Sequence, residues 1–541
     1  RGWGEPDENG QEDNDMKKMF YNGDIITMEN TKPEAVLIND GIIEKIGRIK
    51  DIGSYNIEKI DLHGKVLMPS FIDSHSHITA VAQSLGIVNL SNCTSFSEIR
   101  EKLNEYAKNV KSEEWVIGFG YDNNFLKEKN HPNKFDLNMD NPVLITHASG
   151  HIGVMNQKGL EILGINNATK NPEGGKFGRI GNSNEPSGYM EENAFINSTS
   201  NILKWDLAKY EKLMEKAQNL YIKNGITTVQ EGLIKKDNWN ILNNMAINNK
   251  LKIDVIGYVN IEESEILSEN VEYENQNIIS KNCYLKNKNY TNRLKIGGYK
   301  MFLDGSPQAK TAWLTENYEG EDNYKGYPIH TNEQVDKYVN KSVNDKMQLI
   351  THCNGDCAGD QLINALEKYE NIKELRPVMI HAQILRKDQI KKMKKIGIIP
   401  SYFIAHVYYW GDIHLKNLGK KRAENISPAK TTLQENMIFT FHQDSPVIEP
   451  NMLETIGIAC ERKTKSGILL GEKQKIDVYN ALKAVTINAS YQYFEEDRKG
   501  SIKEGKLADL IVLDKNPLKV RIDEIKNIRI LEVYKEGIKI F

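Results

Sequence analysis

The stretch VLMPSFIDSHSH, residues 66–77, is an apolar run that ends in two histidines. Side chains at positions i and i+2 of a β-strand point to the same face, so His75 and His77 can face a common centre. Divalent metals such as zinc bind neutral imidazole nitrogens at about 2.0–2.1 Å. The stretch therefore predicts a buried strand that delivers two metal ligands at its carboxyl end.

Seven further apolar runs follow along the chain, with helical patterns between them. Most are continuous in Val, Ile and Leu, as is typical of strands that are buried on both faces. Eight strands alternating with helices predict an α/β fold, a closed (β/α)8 TIM barrel. The seven runs are GITTVQEG (225–232), KIDVIGYVN (252–260), LKIGGYKMFLDG (294–305), KMQLITHCNGD (346–356), RPVMIHA (376–382), GIIPSYFIA (397–405) and MIFTFHQDSPV (437–447).

Short β-rich segments open and close the chain. We expect residues 16–68 and 495–541 to pair into one composite β-sandwich, which leaves residues 69–494 for the barrel. Residues 91–205, after barrel strand 1, are too long for one crossover and predict an insertion that covers the active site. Residues 1–15 carry six acids and one base and predict a disordered acidic tail.

Residues that bind or activate metals stand at the ends of five of these runs. Carboxyl ends of barrel strands form the catalytic face, so side chains from separate strands converge there. A single histidine is usually a packed or surface residue, but five such placements in barrel order are hard to obtain by chance. The predicted metal ligands are His75, His77, Lys300, His352, His381 and Asp444.

Lys300 is open to two interpretations. A buried lysine needs a partner, and a salt bridge to Asp304 or Glu192 would suffice. Alternatively, its amine is carboxylated, and the resulting carbamate bridges two metal ions.

Composition excludes several classes of partner. The formal net charge is −3, and no basic stripe indicates a nucleic-acid surface. The sequence contains no run of 18 apolar residues, so we expect no membrane span. Five scattered cysteines argue against a disulfide framework and for a reducing compartment, so we expect a cytoplasmic protein. A homodimer is the commonest oligomeric state and is our expectation.

These motifs resemble those of the amidohydrolase superfamily, in particular the YtcJ-like branch that includes N-substituted formamide deformylases. The resemblance covers residues 17–541, and Ser70 replaces the usual glycine after Pro69. Its further signatures are SGHIGVMN (149–156), EPSGYMEENA (185–194), GYKMFLDGS (298–306), SYFIAHVYYWGD (401–412) and GSIKEGKLADLIVLD (500–514).

The resemblance implies a role for each of these residues. It makes His75, His77, His352 and His381 metal ligands, Lys300 the strand-4 lysine that is carboxylated in many members, and Asp444 the catalytic acid/base. It also implies that one or two divalent ions bind, with zinc as the default. Further residues in matching motifs are candidates for substrate binding: His151, Glu192, His406, Tyr409, Trp410 and Arg422.

The expected reaction is hydrolysis of a C–N bond in an amide, N-formyl or N-acyl amine. Metal-bound hydroxide attacks the carbonyl, and Asp444 takes the water's proton and later delivers it to the leaving nitrogen. With a single metal, His352 or His381 could instead orient the oxyanion.

Three alternatives stay open. A deaminase ranks lower, because such enzymes commonly need a glutamate after the strand-5 histidine, and His352 is followed by Cys353. Hydrolysis of esters or phosphotriesters uses similar centres. A metal-free binding or regulatory protein on this fold is the non-enzymatic alternative, and the intact ligand set counts against it.

Overall fold

A computed structural model describes residues 16–53, 55–150, 152–173, 175–202, 204–267 and 290–541. The predicted tail (1–15) and the candidate His151 therefore lie outside the described residues. The described residues form two compact units, one drawn from residues 1–78 and 218–541 and one drawn from residues 79–217. The second unit contains the segment 91–205 predicted as an insertion. No helix in the described part of the chain is long and apolar enough to cross a membrane.

The strands are numbered in chain order. They are β1 (Lys17–Tyr21), β2 (Asp24–Ile25), β3 (Ala35–Asn39), β4 (Ile42–Gly47), β5 (Ile57–Asp61), β6 (Val66–Pro69), β7 (Phe71–Ile72), β8 (Val88–Asn89), β9 (Val116–Tyr121), β10 (Val143–His147), β11 (Ile152–Met155), β12 (Gly175–Arg179), β13 (Pro186–Glu192), β14 (Ile226–Ile234), β15 (Asp254–Asn260), β16 (Leu294–Phe302), β17 (Gln348–Cys353), β18 (Val378–His381), β19 (Ile399–Tyr402), β20 (Thr440–Phe441), β21 (Leu510–Leu513), β22 (Ile530–Lys535) and β23 (Ile538–Lys539).

The helices are numbered in the same way. They are α1 (Ile49–Ile52), α2 (Ile78–Leu85), α3 (Phe96–Ala107), α4 (Gln157–Ile162), α5 (Asn193–Thr199), α6 (Leu207–Lys223), α7 (Lys236–Ile247), α8 (Asn332–Asn344), α9 (Asp356–Leu366), α10 (Lys387–Ile396), α11 (His406–Ala423), α12 (Ala429–Gln434), α13 (Met452–Glu461), α14 (Val478–Ala484) and α15 (Ile487–Gln492). Short 3-10 helices cover Ile261–Leu267, Ile372–Leu375, Glu472–Gln474 and Ile522–Asn527.

An eight-stranded sheet forms the core of the first unit. Its order is β20-β19-β18-β17-β16-β15-β14-β7, and every neighbouring pair is parallel. Each predicted run overlaps one of these strands, so the prediction of eight parallel strands is confirmed. All seven residues of β15 are buried, which explains its continuous apolar sequence. Ser74, which follows the outer strand β7, donates its Oγ proton to the carbonyl of Phe441, the last residue of the other outer strand, β20, at 3.0 Å.

Helices between these strands are specified locally. In α8, Thr331 caps the first turn, and Gln334 returns a hydrogen bond to the backbone of Thr331. This reciprocal pair satisfies donors that the first turn would otherwise leave free. The apolar face of α8 buries Val335 and Val339, so capping and amphipathicity agree.

Strands from the two ends of the chain combine in a mixed five-stranded sheet, of order β2-β6-β21-β22-β23. In it β6 runs antiparallel to β21. A four-stranded sheet, of order β4-β3-β1-β5, lies beside it. Phe20 and Val36 of the smaller sheet share one buried core with Leu67, Leu510 and Val512 of the larger sheet. The apolar run that opens at Val66 thus contributes to two sheets. Its first part, β6, belongs to the five-stranded sheet, and its next part, β7, belongs to the eight-stranded sheet.

A buried ionic cluster joins Lys499 and Lys535 to the amino end of β15, in the eight-stranded sheet. Asp254, the first residue of β15, accepts from Lys499 Nζ at 2.6 Å and lies 2.9 Å from Lys535 Nζ. Arg293 donates to the same carboxyl group at 3.1 Å. Burial works to raise the pKa of Asp254, but Lys499 and Lys535 outweigh it and hold the pKa far below its usual range.

Arg462 is the largest side chain that is fully buried in the described part of the chain. Its guanidinium group donates to the backbone carbonyls of Leu470, Ser427, Glu424 and Ile426. Burial lowers its pKa to about 9. The guanidinium fork thus satisfies carbonyls from two loops, which ties the segment after α11 to the segment after α13.

The second unit is built around a six-stranded sheet of order β12-β13-β11-β10-β9-β8. Successive residues of a strand point to opposite faces. In β10, Val143 and Ile145 enter one apolar cluster and Leu144 enters another, so both faces of the sheet are covered.

Candidate metal centre

Three strand ends of the first unit deliver the central side chains of the site. His75 follows β7, His381 is the last residue of β18, and Asp444 follows β20. Carboxyl ends of parallel strands lie at one edge of a sheet, which explains how residues so distant in sequence meet.

Asp444 stands at the centre of this group. Its Oδ1 lies 3.2 Å from His75 Nε2 and 3.1 Å from His77 Nε2. Its Oδ2 lies 3.8 Å from His381 Nε2. One ligand atom each from His75, His381 and Asp444 lies within 4.8 Å of the others. The structure thus brings together four of the six predicted ligands.

The donor set fits a divalent cation. Imidazole nitrogens and a carboxylate are the ligands that zinc and similar ions take. Asp444 Oδ1 is buried and makes no well-formed hydrogen bond to any residue in the described ranges, although two imidazole nitrogens approach it. A buried carboxylate oxygen needs a positive partner, which a bound cation or the protonated ring of His77 can supply.

Protonation states differ within the group. Burial, reinforced by Lys300, lowers the pKa of His75 to about 3, and burial also lowers the pKa of His381 well below its usual value. These imidazoles are neutral at pH 7 and keep a lone pair. Burial opposes protonation of His77 as well, but Asp444 and Glu231 outweigh it and raise its pKa to about 9. A cation that uses His77 must therefore displace a proton.

The carboxyl group of Asp444 is ionised. Burial works to raise its pKa, but the protonated ring of His77 holds the pKa well below the usual range. An ionised carboxylate can hold a cation and accept a proton.

Lys300 lies beside the triad, with Nζ 3.4 Å from His75 Nε2. Burial lowers its pKa to about 8. The carboxyl group of Asp304, one suggested partner, instead accepts backbone N–H groups from Trp313, Asn354 and Gly355. The amine of Lys300 thus lies beside His75, while the carboxyl group of Asp304 is bound by backbone N–H groups.

His352 lies next to the group, and its ring centroid is 4.6 Å from that of His381. Its Nε2, however, lies 3.0 Å from the carbonyl oxygen of Gly305 and does not join the triad. Burial, with Lys300, lowers its pKa to about 4, so this imidazole is neutral.

The backbone is left-handed at two of the central residues. The φ angle is 76° at His381 and 50° at Asp444. Such a conformation at a residue other than glycine costs on the order of 1–3 kcal/mol and is found at functional sites.

Four predicted substrate-binding residues lie on α11. His406 Nδ1 is 3.0 Å from His414 Nε2, and Trp410 packs against the His406 ring with centroids 4.5 Å apart. Tyr409 donates its hydroxyl to Glu454 at 2.6 Å.

The fourth, Arg422, donates to the backbone carbonyls of Glu316 and Asn317. These contacts tie Tyr409 and Arg422 to the protein itself. Glu192 is the last residue of β13, in the second unit.

Gln230 and His442 were not among the predicted site residues. They contact His75 and His381 at Nδ1, the ring nitrogen that faces away from Asp444. Gln230 Oε1 lies 2.5 Å from His75 Nδ1, and His442 Nε2 lies 3.1 Å from His381 Nδ1. Both residues lie in predicted strand runs, GITTVQEG and MIFTFHQDSPV, and their position near the end of a run is the sequence signal that could have identified them.

A sequence profile of the amidohydrolase family matches residues 58–540. The chain therefore belongs to the amidohydrolase family, and its class is that of a hydrolase.

Named relatives span nearly the whole chain. A Bacillus subtilis protein named as an amidohydrolase, YtcJ, is 26% identical over 524 residues, which are 93% of this chain and 96% of that protein. The N-substituted formamide deformylase of Arthrobacter pascens is 23% identical over 540 residues, 96% of this chain and 97% of that enzyme.

One crystal structure of similar fold is described as an uncharacterized metal-dependent hydrolase from Pyrococcus horikoshii. It matches with a TM-score of 0.74 at 24% identity and covers 94% of this chain and 99% of that chain. At this identity the match shows the fold alone.

Proposed function

We propose that this protein is a metal-dependent amidohydrolase that cleaves the C–N bond of an amide, most simply an N-formyl or N-acyl amine. One observation carries the proposal: ligand atoms of His75, His381 and Asp444, from three separate strand ends, lie within 4.8 Å of one another. The similarity to an N-substituted formamide deformylase supports the choice of substrate class.

His75, His77, His381 and Asp444 would hold the cation, and Lys300 and His352 stand beside them as further ligands. A bound divalent cation lowers the pKa of water toward 7 and polarises a substrate carbonyl. Zinc is our first choice, because the nitrogen-rich ligand set suits it.

Asp444 is the proposed proton carrier. Its carboxylate is ionised, so it can accept the proton that the attacking water loses. The same group then returns that proton to the leaving nitrogen. This second transfer matters because an unprotonated amine anion is a poor leaving group.

Lys300 is the proposed site of carboxylation. With its pKa lowered to about 8, part of its amine is neutral near pH 7 and can add to CO2. The product carbamate forms with loss of one proton and replaces a buried positive charge by a negative one. That change would suit a second cation.

The architecture is proposed to be a closed barrel. The hydrogen bond between Ser74 and Phe441 supports closure. A cytoplasmic location and a homodimer remain proposals from the sequence.

The test is a screen of N-formyl amines, N-acyl amines, esters and amino-substituted heterocycles with the purified protein. Metal content is measured first, and activity is compared before and after chelation and after zinc is restored. We expect bound metal and chelator-sensitive release of an amine. Ammonia release from a heterocycle would favour the deaminase, and ester cleavage alone would favour an esterase. Purified protein that contains no metal and turns over none of these compounds would favour a non-catalytic binding protein.

A further inference from the structure

Ser74 lies between the strand β7 and the metal-facing His75, and it is fully buried. Its side chain does not point to the cation-binding atoms. Instead, its backbone carbonyl and its hydroxyl each begin a chain of hydrogen bonds, and both chains end on the far nitrogen of a candidate ligand.

The first chain runs through Gln230. Its Nε2 donates to the carbonyl of Ser74 at 3.0 Å and to the hydroxyl of Tyr493 at 3.1 Å. A carbonyl only accepts, so the amide nitrogen must face Ser74, and Oε1 must face His75 Nδ1 at 2.5 Å. An amide oxygen also only accepts. His75 therefore carries its proton on Nδ1, and Nε2 keeps its lone pair.

The second chain runs through Ser401 and His442. Ser74 donates its hydroxyl proton to the carbonyl of Phe441, so a hydrogen bond between Ser74 and Ser401, whose oxygens lie 3.2 Å apart, can only use the proton of Ser401. Ser401 then has no proton for His442 Nδ1, which lies at 2.9 Å and must be the donor. His442 Nε2 is left as an acceptor, and His381 Nδ1, at 3.1 Å, donates to it.

Both chains place a lone pair on the nitrogen that faces Asp444. His75 Nε2 and Asp444 Oδ1 are then two acceptors 3.2 Å apart, with no proton between them. His381 Nε2 faces Oδ2 in the same way at 3.8 Å. Acceptors that face each other in a buried site repel, and a cation between them removes the repulsion.

We propose that Ser74 is the common anchor of two hydrogen-bond chains, through Gln230 and through Ser401 and His442, that hold His75 and His381 in the tautomer able to bind a cation through Nε2. These are positioning residues and touch neither substrate nor cation. The inference rests on the proposed metal centre.

The test replaces Ser401 in the full-length protein. Ser401→Ala removes the acceptor for His442 and frees the second chain to reverse, which would put a proton on His381 Nε2. We expect Zn2+ affinity, measured by competition with a chromophoric chelator, to fall roughly 10- to 100-fold, the usual loss for such outer contacts. The visible spectrum of the Co2+ form should also change. Ser401→Thr keeps the hydroxyl and should restore both.

Ser427→Ala is the matched control. Ser427 is also fully buried, but its Oγ has no hydrogen-bond partner among the described residues, so its loss should leave Zn2+ affinity and the Co2+ spectrum unchanged.

Wild-type protein that binds no cation would refute the proposed metal centre itself. If the wild-type protein binds Zn2+ and Ser401→Ala has the same Zn2+ affinity and the same Co2+ spectrum, only the inference about the hydrogen-bond chains is overturned. Should Ser401→Ala fail to fold by circular dichroism, Gln230→Met decides by the same measurements, because it removes the acceptor for His75 from a side chain of similar length.

Discussion

Replacing Asp444 by asparagine tests the proposed reaction at its central atom. Asparagine keeps an oxygen near His75 and His77 but loses the negative charge and the ability to carry a proton. It also tolerates the left-handed backbone, with φ of 50°, that Asp444 adopts. The variant should therefore fold and, because three imidazoles remain, retain most of its metal.

Turnover should nevertheless collapse. General acid–base catalysis contributes about 10²–10⁴-fold. At 1.36 kcal/mol per tenfold, this is about 2.7–5.4 kcal/mol of lost transition-state stabilisation. The assay is kcat/KM for the best N-formyl or N-acyl amine, with metal content measured on the same sample. Asp40→Asn is the matched control, since Asp40 is an exposed turn residue with the same φ of 50°. Activity of Asp444→Asn above about a tenth of wild type would refute the assigned role.

Three further outcomes are expected. Chelation should lower the thermal midpoint of unfolding, because a cation at 100 times its Kd stabilises the native state by about 2.7 kcal/mol; an unchanged midpoint in a scanning calorimeter would argue against a resident metal. Asp254→Asn should cost about 3–5 kcal/mol at pH 7 by leaving Lys499 and Lys535 short of a buried partner. Because folding depresses the pKa of Asp254, its carboxylate contributes its full stability above the unfolded-state pKa of about 3.9 and loses that contribution as the pH falls below this value. The thermal midpoint of the wild type should therefore drop more steeply in acid than the midpoint of Asp254→Asn. Parallel curves of midpoint against pH would contradict this. Arg462→Lys should lower the midpoint at pH 7, because an ammonium group cannot reach all four carbonyls; an equal midpoint would show that the fork is dispensable.

The eight parallel strands were predictable because their signal is local. A strand buried on both faces needs a continuous apolar run, and its polar end marks the catalytic edge, which is how His381 and Asp444 were found. The double use of the run at 66–77, with β6 in one sheet and β7 in another, was less visible, since both parts are equally apolar.

The orientation of side chains was not predictable. The sequence places His352 at a strand end beside His381, but only the fold turns its Nε2 toward Gly305. Arg422 stands near candidate pocket residues in sequence, yet its guanidinium group holds backbone carbonyls about 100 positions away. Gln230 meets His75 across 155 positions, and a contact at that separation depends on register and closure rather than on any local pattern.

The left-handed backbone at His381 and Asp444 limits which side chains can replace them. Asparagine, aspartate and glycine adopt this conformation readily, whereas β-branched residues are strained there. A library that diversifies these two positions should therefore draw on the tolerant residues, because other replacements would confuse a misfolded chain with a folded hydrolase that has lost its chemistry.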